Sequence, residues 1–422
     1  MRSSPSAAAA FAIMEQAYRA CVAAVHPAEC LEPYIRDLPE ARRVIVVGAG
    51  KASAAMAEAF ERHYPGRVEG IVLTRYDHAE PTRAITIREA AHPVPDEAGV
   101  RATAEVLALL ATAGPDDLIV GLISGGGSAL LCAPVAGLTL ADKQDVNQAL
   151  LASGMPIHEI NVVRKYLSRV KGGKLPGFAP KSRWINFLMS DVPGDDLAAI
   201  ASGPTVGSAP GAAPLELLER YGIAPSAQVR SALGNPANRP ASPDDPRLAN
   251  VENVLVASPA IAFARARDIL AEAGVAVEYL GSDLEGEASA LGREHAAMAL
   301  SRKTAGRPLC ILSGGETTVT VRGGGEGGRN TEYLLGLSLG LAGAEGIHAF
   351  AADTDGIDGK GVHAGAFCGP RTLAMARAVG VDPEAALKRN DSLAVFRAAG
   401  TVYQPGPTRT NVNDFRAILI TP

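Results

Sequence analysis

Short, unbroken apolar runs punctuate the chain, most of them ending in glycine or a small polar residue. Residues 44–47, 254–257 and 309–312 are of this kind, and 118–123, 184–189 and 347–352 are nearly so, each interrupted once, by Gly121, Asn186 and His348. Runs so short and uniform predict strands buried on both faces of a sheet. Residues 68–74, 84–88, 275–280 and 417–420 read as further strands, and Val319-Thr320-Val321 as a β-rich segment that returns from the glycine turn after 309–312. Between these runs apolar positions recur at helical spacing, over 54–63, 97–113, 139–171, 260–273, 287–303, 371–379 and 392–399. Phe11, Met14, Ala17, Tyr18, Cys21, Val22 and Val25 repeat at the same spacing, so the chain opens with an amphipathic helix. Alternating strand and helix predicts an α/β fold with parallel sheets, whose sites lie beyond the carboxyl ends of the strands.

A chain of 422 residues exceeds one ordinary core, so two domains are expected. Between residues 203 and 250 Pro, Ala, Gly and Ser dominate, which sets the expected domains at 1–249 and 250–422. With 47% apolar and 20% charged residues the composition is that of a soluble globular protein. The formal net charge of -5, without any Lys/Arg run, excludes a nucleic-acid surface. No apolar run nears the roughly 20 residues that span a bilayer, and Glu15 follows too soon for a secretory signal. Five scattered cysteines without a Cys-x-x-Cys fit reduced thiols in a cytoplasm and give no zinc site.

The unusual residues gather at predicted strand ends. Ser124-Gly125-Gly126-Gly127-Ser128 and Ser313-Gly314-Gly315-Glu316-Thr317 look like one device used once per half, two backbone cradles for the anionic ends of a substrate held across a cleft. Lys51 follows Gly48-Ala49-Gly50 at a helix start, where it can meet a phosphate or stand solvated. The loop is no Walker A, which needs Ser or Thr after the Lys. Nor is it a complete dinucleotide fingerprint: Ser53 replaces the third glycine, and Thr74 and Arg75 stand where an acid belongs. Asp191, fixed ahead of Pro193, can orient a hydroxyl, bind Mg²⁺ or cap a helix, whereas Asp195 and Asp196 read as caps. Glycines 323–328 deliver Arg329 to a helix start, where its fork suits phosphate or carboxylate. Glu316 then serves a metal, a hydroxyl or the arginine itself. Asp353 and Asp355 offer hard oxygens of the kind that hold Mg²⁺ in phosphoryl transfer, or form an Asp-Gly turn. His92, between apolar residues and Pro93, reads as structural.

Taken together, the motifs resemble those of the class II glycerate 2-kinases, which join a Rossmann-like domain to a MOFRL domain. In the first half they are Val47-Gly48-Ala49-Gly50-Lys51-Ala52, His92-Pro93-Val94-Pro95-Asp96, the Ser124 loop, Asn161-Val162-Val163-Arg164-Lys165, Lys171-Gly172-Gly173-Lys174, Ser190-Asp191-Val192-Pro193-Gly194-Asp195 and Ser202-Gly203-Pro204-Thr205. The second half contributes the Ser313 stretch, Gly328-Arg329-Asn330-Thr331-Glu332, Asp353-Thr354-Asp355-Gly356 and Thr410-Asn411-Val412-Asn413-Asp414. The resemblance implies a cytoplasmic enzyme, compatible with a homodimer, that uses ATP and Mg²⁺ to phosphorylate the 2-hydroxyl of D-glycerate. It puts Lys51, Asp191, Glu316 and Arg329 in the active site; with it, Lys51, Asp191 and Arg329 are expected in catalysis and Asp353 and Asp355 at the metal. Ser124–Ser128, Ser313–Glu316 and Asn411 fall at the nucleotide and substrate. Relatives are often labelled hydroxypyruvate reductase, so an NAD(P)H-dependent reductase is the alternative enzyme, and a non-catalytic sugar-acid sensor the alternative of another class. Two departures stand out: Val362 and His363 replace an acid before Ala364-Gly365-Ala366, and Arg409 replaces a glycine.

Overall fold

The computed structural model describes residues 7–209, 211–303, 306–359 and 361–422. Contacts divide the chain into two compact units: Pro27–Ala257, and the described residues up to His26 together with Ser258–Pro422.

The first unit holds a six-stranded sheet of β1 (Arg43–Ala49), β2 (Val68–Arg75), β3 (Ile85–Ala90), β4 (Asp117–Ile123), β5 (Arg183–Met189) and β6 (Val251–Ala257). Its order is β3-β2-β1-β4-β5-β6, with every pair parallel. Burial explains the unbroken apolar runs: all seven residues of β4 are buried, and six of seven in β1 and β5. Strand order reverses between β1 and β4, which opens a crevice beyond their carboxyl ends. The helical stretch expected over 139–171 is two helices, Leu140–Ala152 and Ile157–Tyr166. Gly154, with φ of 72°, and Pro156 break it. With helices Pro214–Arg220 and Ala227–Gly234 they form a separate apolar cluster around Leu150, Val163, Leu217 and Leu233.

The boundary expected near residue 249 falls elsewhere. β6 pairs with β5, Trp184 opposite Val251, so the strand expected to open the second half instead completes the first sheet. The first helix, Ala7–Ala24, goes with the second unit. Tyr18 meets Phe350, Tyr403 and Phe415 edge-on, and its hydroxyl donates to the Asp353 carbonyl at 2.8 Å.

The second unit contains β7 (Ala276–Tyr279), β8 (Leu309–Gly315), β9 (Ile347–Asp353), β10 (Gly365–Cys368), β11 (Val402–Tyr403) and β12 (Asp414–Ile420), in the order β11-β10-β9-β12-β8-β7. This sheet is mixed rather than parallel, because β12 inserts antiparallel between β8 and β9. Val319–Val321 is not a strand. Both edges of β8 are already taken, by β12 and β7, so a returning segment has nothing there to pair with. Thr318 instead makes an isolated bridge to Glu287, and Thr320 binds the Glu287 carboxylate. Helix Arg329–Leu341 is buried over most of its length and anchors the core with Tyr333, Leu334 and Leu337. No single helix among the described residues is long and apolar enough to cross a membrane. The five cysteines are free thiols, all buried except the half-buried Cys30.

Candidate active site

In the first unit, the loops after β1, β3, β4 and β5 converge at the strand-order reversal. Ser124 ties the β4 loop to the β1 loop. Its amide donates to the Ala49 carbonyl at 3.3 Å, its Oγ accepts from the Ala52 amide at 3.0 Å, and Ser53 Oγ lies 3.1 Å away. The Lys51 amide closes the junction by donating to the Gly125 carbonyl at 2.8 Å. Ser53 is fully buried in this knot, so the residue that spoils the dinucleotide fingerprint serves to join the two loops.

Two glycines show what crowds the turn. A Cβ on Gly125 would fall 1.8 Å from Asp191 Oδ2, so the carboxylate after β5 lies directly against the Gly125 backbone. At Gly126, where φ is 81°, a Cβ would meet Lys51 Cγ at 3.0 Å and His92 Nε2 at 3.2 Å. Lys51, His92 and Asp191 therefore flank one turn of backbone. Burial, then the charges of Lys51 and Arg75, push the His92 imidazole down to about 4. It is therefore neutral at pH 7. The sequence reading of His92 as structural missed its position in this cluster. Among the described residues the Gly125 and Gly126 amides donate to no backbone carbonyl, which suits the cradle expected at Ser124–Ser128. Ser128 Oγ lies 2.8 Å from Ser202 Oγ. Ala201 and Ser202 are buried with φ of 51° and 62°, a strained pair that sits against this turn.

A group of cations lies beside the turn, which the sequence reading did not select. Lys143, Arg164 and Lys171, with Asn147 and His92, line a cavity of about 220 Å³ next to Gly126 and Ser128. Lys171 Nζ donates to the Ser128 and Leu131 carbonyls at 2.7 and 3.0 Å, which pins the short helix Gly127–Leu130. Burial, then Lys143, hold its amine well below the ordinary range. Arg164 and Lys171 are legible in the sequence as part of motifs, but only the fold brings Lys143 to them.

In the second unit, register sets Asp353 of β9 opposite Asp414 of β12, and Asp414 opposite Gly315 of β8. Arg329, first residue of its helix, reaches this row. It bonds Glu316 at 2.5 Å and Asp353 at 2.7 Å, with Asp414 Oδ1 at 3.3 Å. Burial lowers the basicity of the guanidinium, but Asp414, Asp353 and Glu316 together raise it above the ordinary value. Asp353 is raised well above the carboxylate range by burial, then by Asp355 and Asp414, with Arg329 opposing. Asp414 was not among the residues expected at the site; the sheet register alone puts it there.

Several expected donors are engaged otherwise. Ser313-Gly314-Gly315 is the end of β8, not a turn, and the Gly314 amide donates to the Gly281 carbonyl at 2.8 Å. Phe263 and the Leu284 carbonyl fill the side-chain space of Gly314 and Gly315, so close packing by itself requires glycine at both. The start of helix Arg329–Leu341 is capped from within. Asp358 accepts from the Asn330 and Thr331 amides, each at 3.0 Å, and burial pushes its carboxyl up to about 6. Asn411 Oδ1 accepts from the Asn413 amide at 2.9 Å, a local turn. Asp355 Oδ1 accepts from the Ile357 amide at 2.8 Å, and Asp353 Oδ1 from the Asp355 amide at 3.0 Å. The described residues contain no group of three or more His, Cys, Asp or Glu side chains arranged for a metal. Asp353 and Asp355 nevertheless fit Mg²⁺ in kind, being neighbouring hard-oxygen donors whose mutual repulsion a cation would relieve.

The chain matches the model of a domain of unknown function, DUF4147, over residues 13–234, and that of the MOFRL family over residues 309–414. It is 46% identical to a putative hydroxypyruvate reductase of Agrobacterium vitis, over 97% of this chain and 94% of the relative. It is 38% identical to the D-glycerate 2-kinase of Thermotoga maritima, over 90% and 91%. The crystal structure of a Thermotoga maritima glycerate kinase superposes with a TM-score of 0.89 at 36% identity, covering 97% of this chain and 98% of that one.

Proposed function

Because the chain belongs to the glycerate kinase family that joins a DUF4147 domain to a MOFRL domain, we propose that it transfers the terminal phosphoryl group of ATP to the 2-hydroxyl of D-glycerate. The observation that carries the reading is the gathering of Lys51 and Asp191 around Gly125 and Gly126, at the strand-order reversal of a parallel sheet. Phosphoryl transfer asks mainly for positioning and for neutralisation of charge on the transferring group. Lys51 supplies a cation there, and Asp191 orients the attacking hydroxyl and accepts its proton. The Gly125 and Gly126 amides bind phosphate oxygens. In the second unit Arg329 is a further phosphate-binding cation, and Asp353 and Asp355 would hold Mg²⁺. Bound there, the ion would neutralise charge on the phosphate oxygens.

The family also includes relatives named as reductases, so the test has two arms. The protein is incubated with D-glycerate and Mg-ATP, and the product is identified by phosphorus NMR. In parallel, NADH absorbance is followed with hydroxypyruvate. We expect 2-phosphoglycerate and no NADH oxidation. A signal from 3-phosphoglycerate would move the reaction to the other hydroxyl. NADH loss without phosphorylated product would replace the kinase by a reductase, and tight glycerate binding without either reaction would indicate a sensor.

A further inference from the structure

The cationic cavity beside Gly126 is chemically lopsided. Lys143 is 5% exposed, and its Nζ makes no well-formed hydrogen bond among the described residues, with only the Cys132 thiol beside it as a partner. Lys171 is 1% exposed and Arg164 half-buried, and among the described residues no carboxylate lines the cavity. Lys143 and Asn147 stand one turn apart on helix Leu140–Ala152, and the Asn147 Oδ1 accepts from Arg164 Nε at 2.7 Å, which fixes the guanidinium plane. Neither Lys143 nor Arg164 makes an ion pair among the described residues, whereas exposed arginines elsewhere, such as Arg62 and Arg302, pair with glutamates. Buried like charges without a partner are costly, and an anion seated among them removes that cost. At about 220 Å³ the cavity is smaller than the roughly 300–1,000 Å³ of sites that take drug-sized ligands. It suits a three-carbon acid and not a nucleotide.

We infer that this cavity seats the carboxylate of the acceptor: Arg164 and Lys143 bind its two oxygens, and its hydroxyl end is left toward Lys51 and Asp191 at Gly125–Gly126. Lys171 is a positioning residue, holding the Ser128 and Leu131 carbonyls beneath the site. The inference rests on the kinase reading for the identity of the acceptor. It adds the recognition element, residues from two helices outside the strand-end loops, and a specificity: acids bind, and the corresponding alcohols do not.

The test is calorimetric titration of the full-length protein with D-glycerate, with glycerol, which lacks the carboxylate, and with inorganic phosphate. Wild type is compared with Lys143→Gln and Arg164→Gln, and Lys143→Met repeats the test should the Gln variant not fold. D-glycerate should bind wild type and glycerol should not, and each variant should weaken D-glycerate by at least about tenfold, the loss of one charge-assisted hydrogen bond. In turnover assays the KM for glycerate should rise while the KM for ATP holds, a split that a merely structural role would not produce. Thermal midpoints of the Lys143 variants should be no lower than that of wild type, since an uncompensated buried charge is removed. Wild-type affinity for D-glycerate in both variants would overturn the inference. So would loss of phosphate binding alone, which would make the cavity a phosphate site. If the variants lose glycerate but wild type makes no phosphorylated product, the kinase reading fails and this one stands. If wild type phosphorylates glycerate and both variants keep its KM, the reverse holds.

Discussion

At the scale of single residues, charge decides most of what this protein can do. Lys51 contributes a cation beside a glycine turn, so Lys51→Ala should lower kcat by roughly 10²-fold, about 3 kcal/mol of transition-state stabilisation. A rise in the KM for ATP at constant kcat would instead make it a ground-state contact. Arg329 differs, because its fork is already divided among Glu316, Asp353 and Asp414. Arg329→Lys keeps the charge but cannot serve three acids, so both kcat and the thermal midpoint should fall. No change in either would remove Arg329 from the site. For His92, burial and then Lys51 lower the imidazole from 6.5 to about 4. The unfolded chain takes up this proton near pH 6.5, the folded one only near 4. Stability from a neutral His92 is thus complete above pH 6.5 and is lost as pH falls toward 4. In His92→Gln the urea midpoint should fall less steeply over that window. It should not become flat, because burial depresses His295 in the same way.

At the scale of elements, two glycine stretches with nearly the same spelling do different work. After β4 the glycines make room for Asp191 and Lys51, and at the end of β8 they make room for the chain itself. Gly125→Ala should displace the Asp191 carboxylate and cost at least roughly tenfold in kcat, with little change in thermal midpoint. Gly315→Ala puts a side chain at φ of 112° and 2.1 Å from the Leu284 carbonyl. Measured by urea unfolding, it should destabilise by more than about 2 kcal/mol. If the two variants showed the same balance of kinetic and stability defects, the distinction would fail. The departure at Arg409 has a backbone account. Its φ is 64°, the left-handed region where glycine rests without strain, so a glycine is the natural residue there and arginine is tolerated at a cost.

At the scale of the whole molecule, the chain's first helix belongs with its last strands. Tyr18 is 2% exposed among Phe350, Tyr403 and Phe415, so Tyr18→Ala should cost roughly 3–5 kcal/mol in the unit that contains those rings. The single tryptophan, Trp184, lies buried in β5 of the other unit and reports on that unit. Far-UV circular dichroism of the variant should therefore begin to change at a lower urea concentration than Trp184 fluorescence does. Coincident transitions, both shifted, would contradict the partition.

Local pattern was enough to locate most strands and helices, because doubly buried strands need unbroken apolar runs and helices need a 3.6-residue repeat. It also marked Lys51, Asp191, Arg329 and Asp353, since charged residues at the ends of such strands have no packing reason to be there. What it could not determine was partnership. Whether residues 254–257 close one sheet or open the next depends on an edge of β5, 67 residues away in sequence where Phe187 pairs with Val254. The insertion of β12 between β8 and β9 turned a predicted parallel sheet into a mixed one, brought Asp414 to Arg329, and left 319–321 without a strand to pair with. Lys143 carries no local signal at all, being one lysine on a helix with polar neighbours. Only when Leu140–Ala152 packs with Ile157–Tyr166 do Lys143 and Arg164 line the same cavity, and it is burial without an acid, a property of tertiary structure, that distinguishes them.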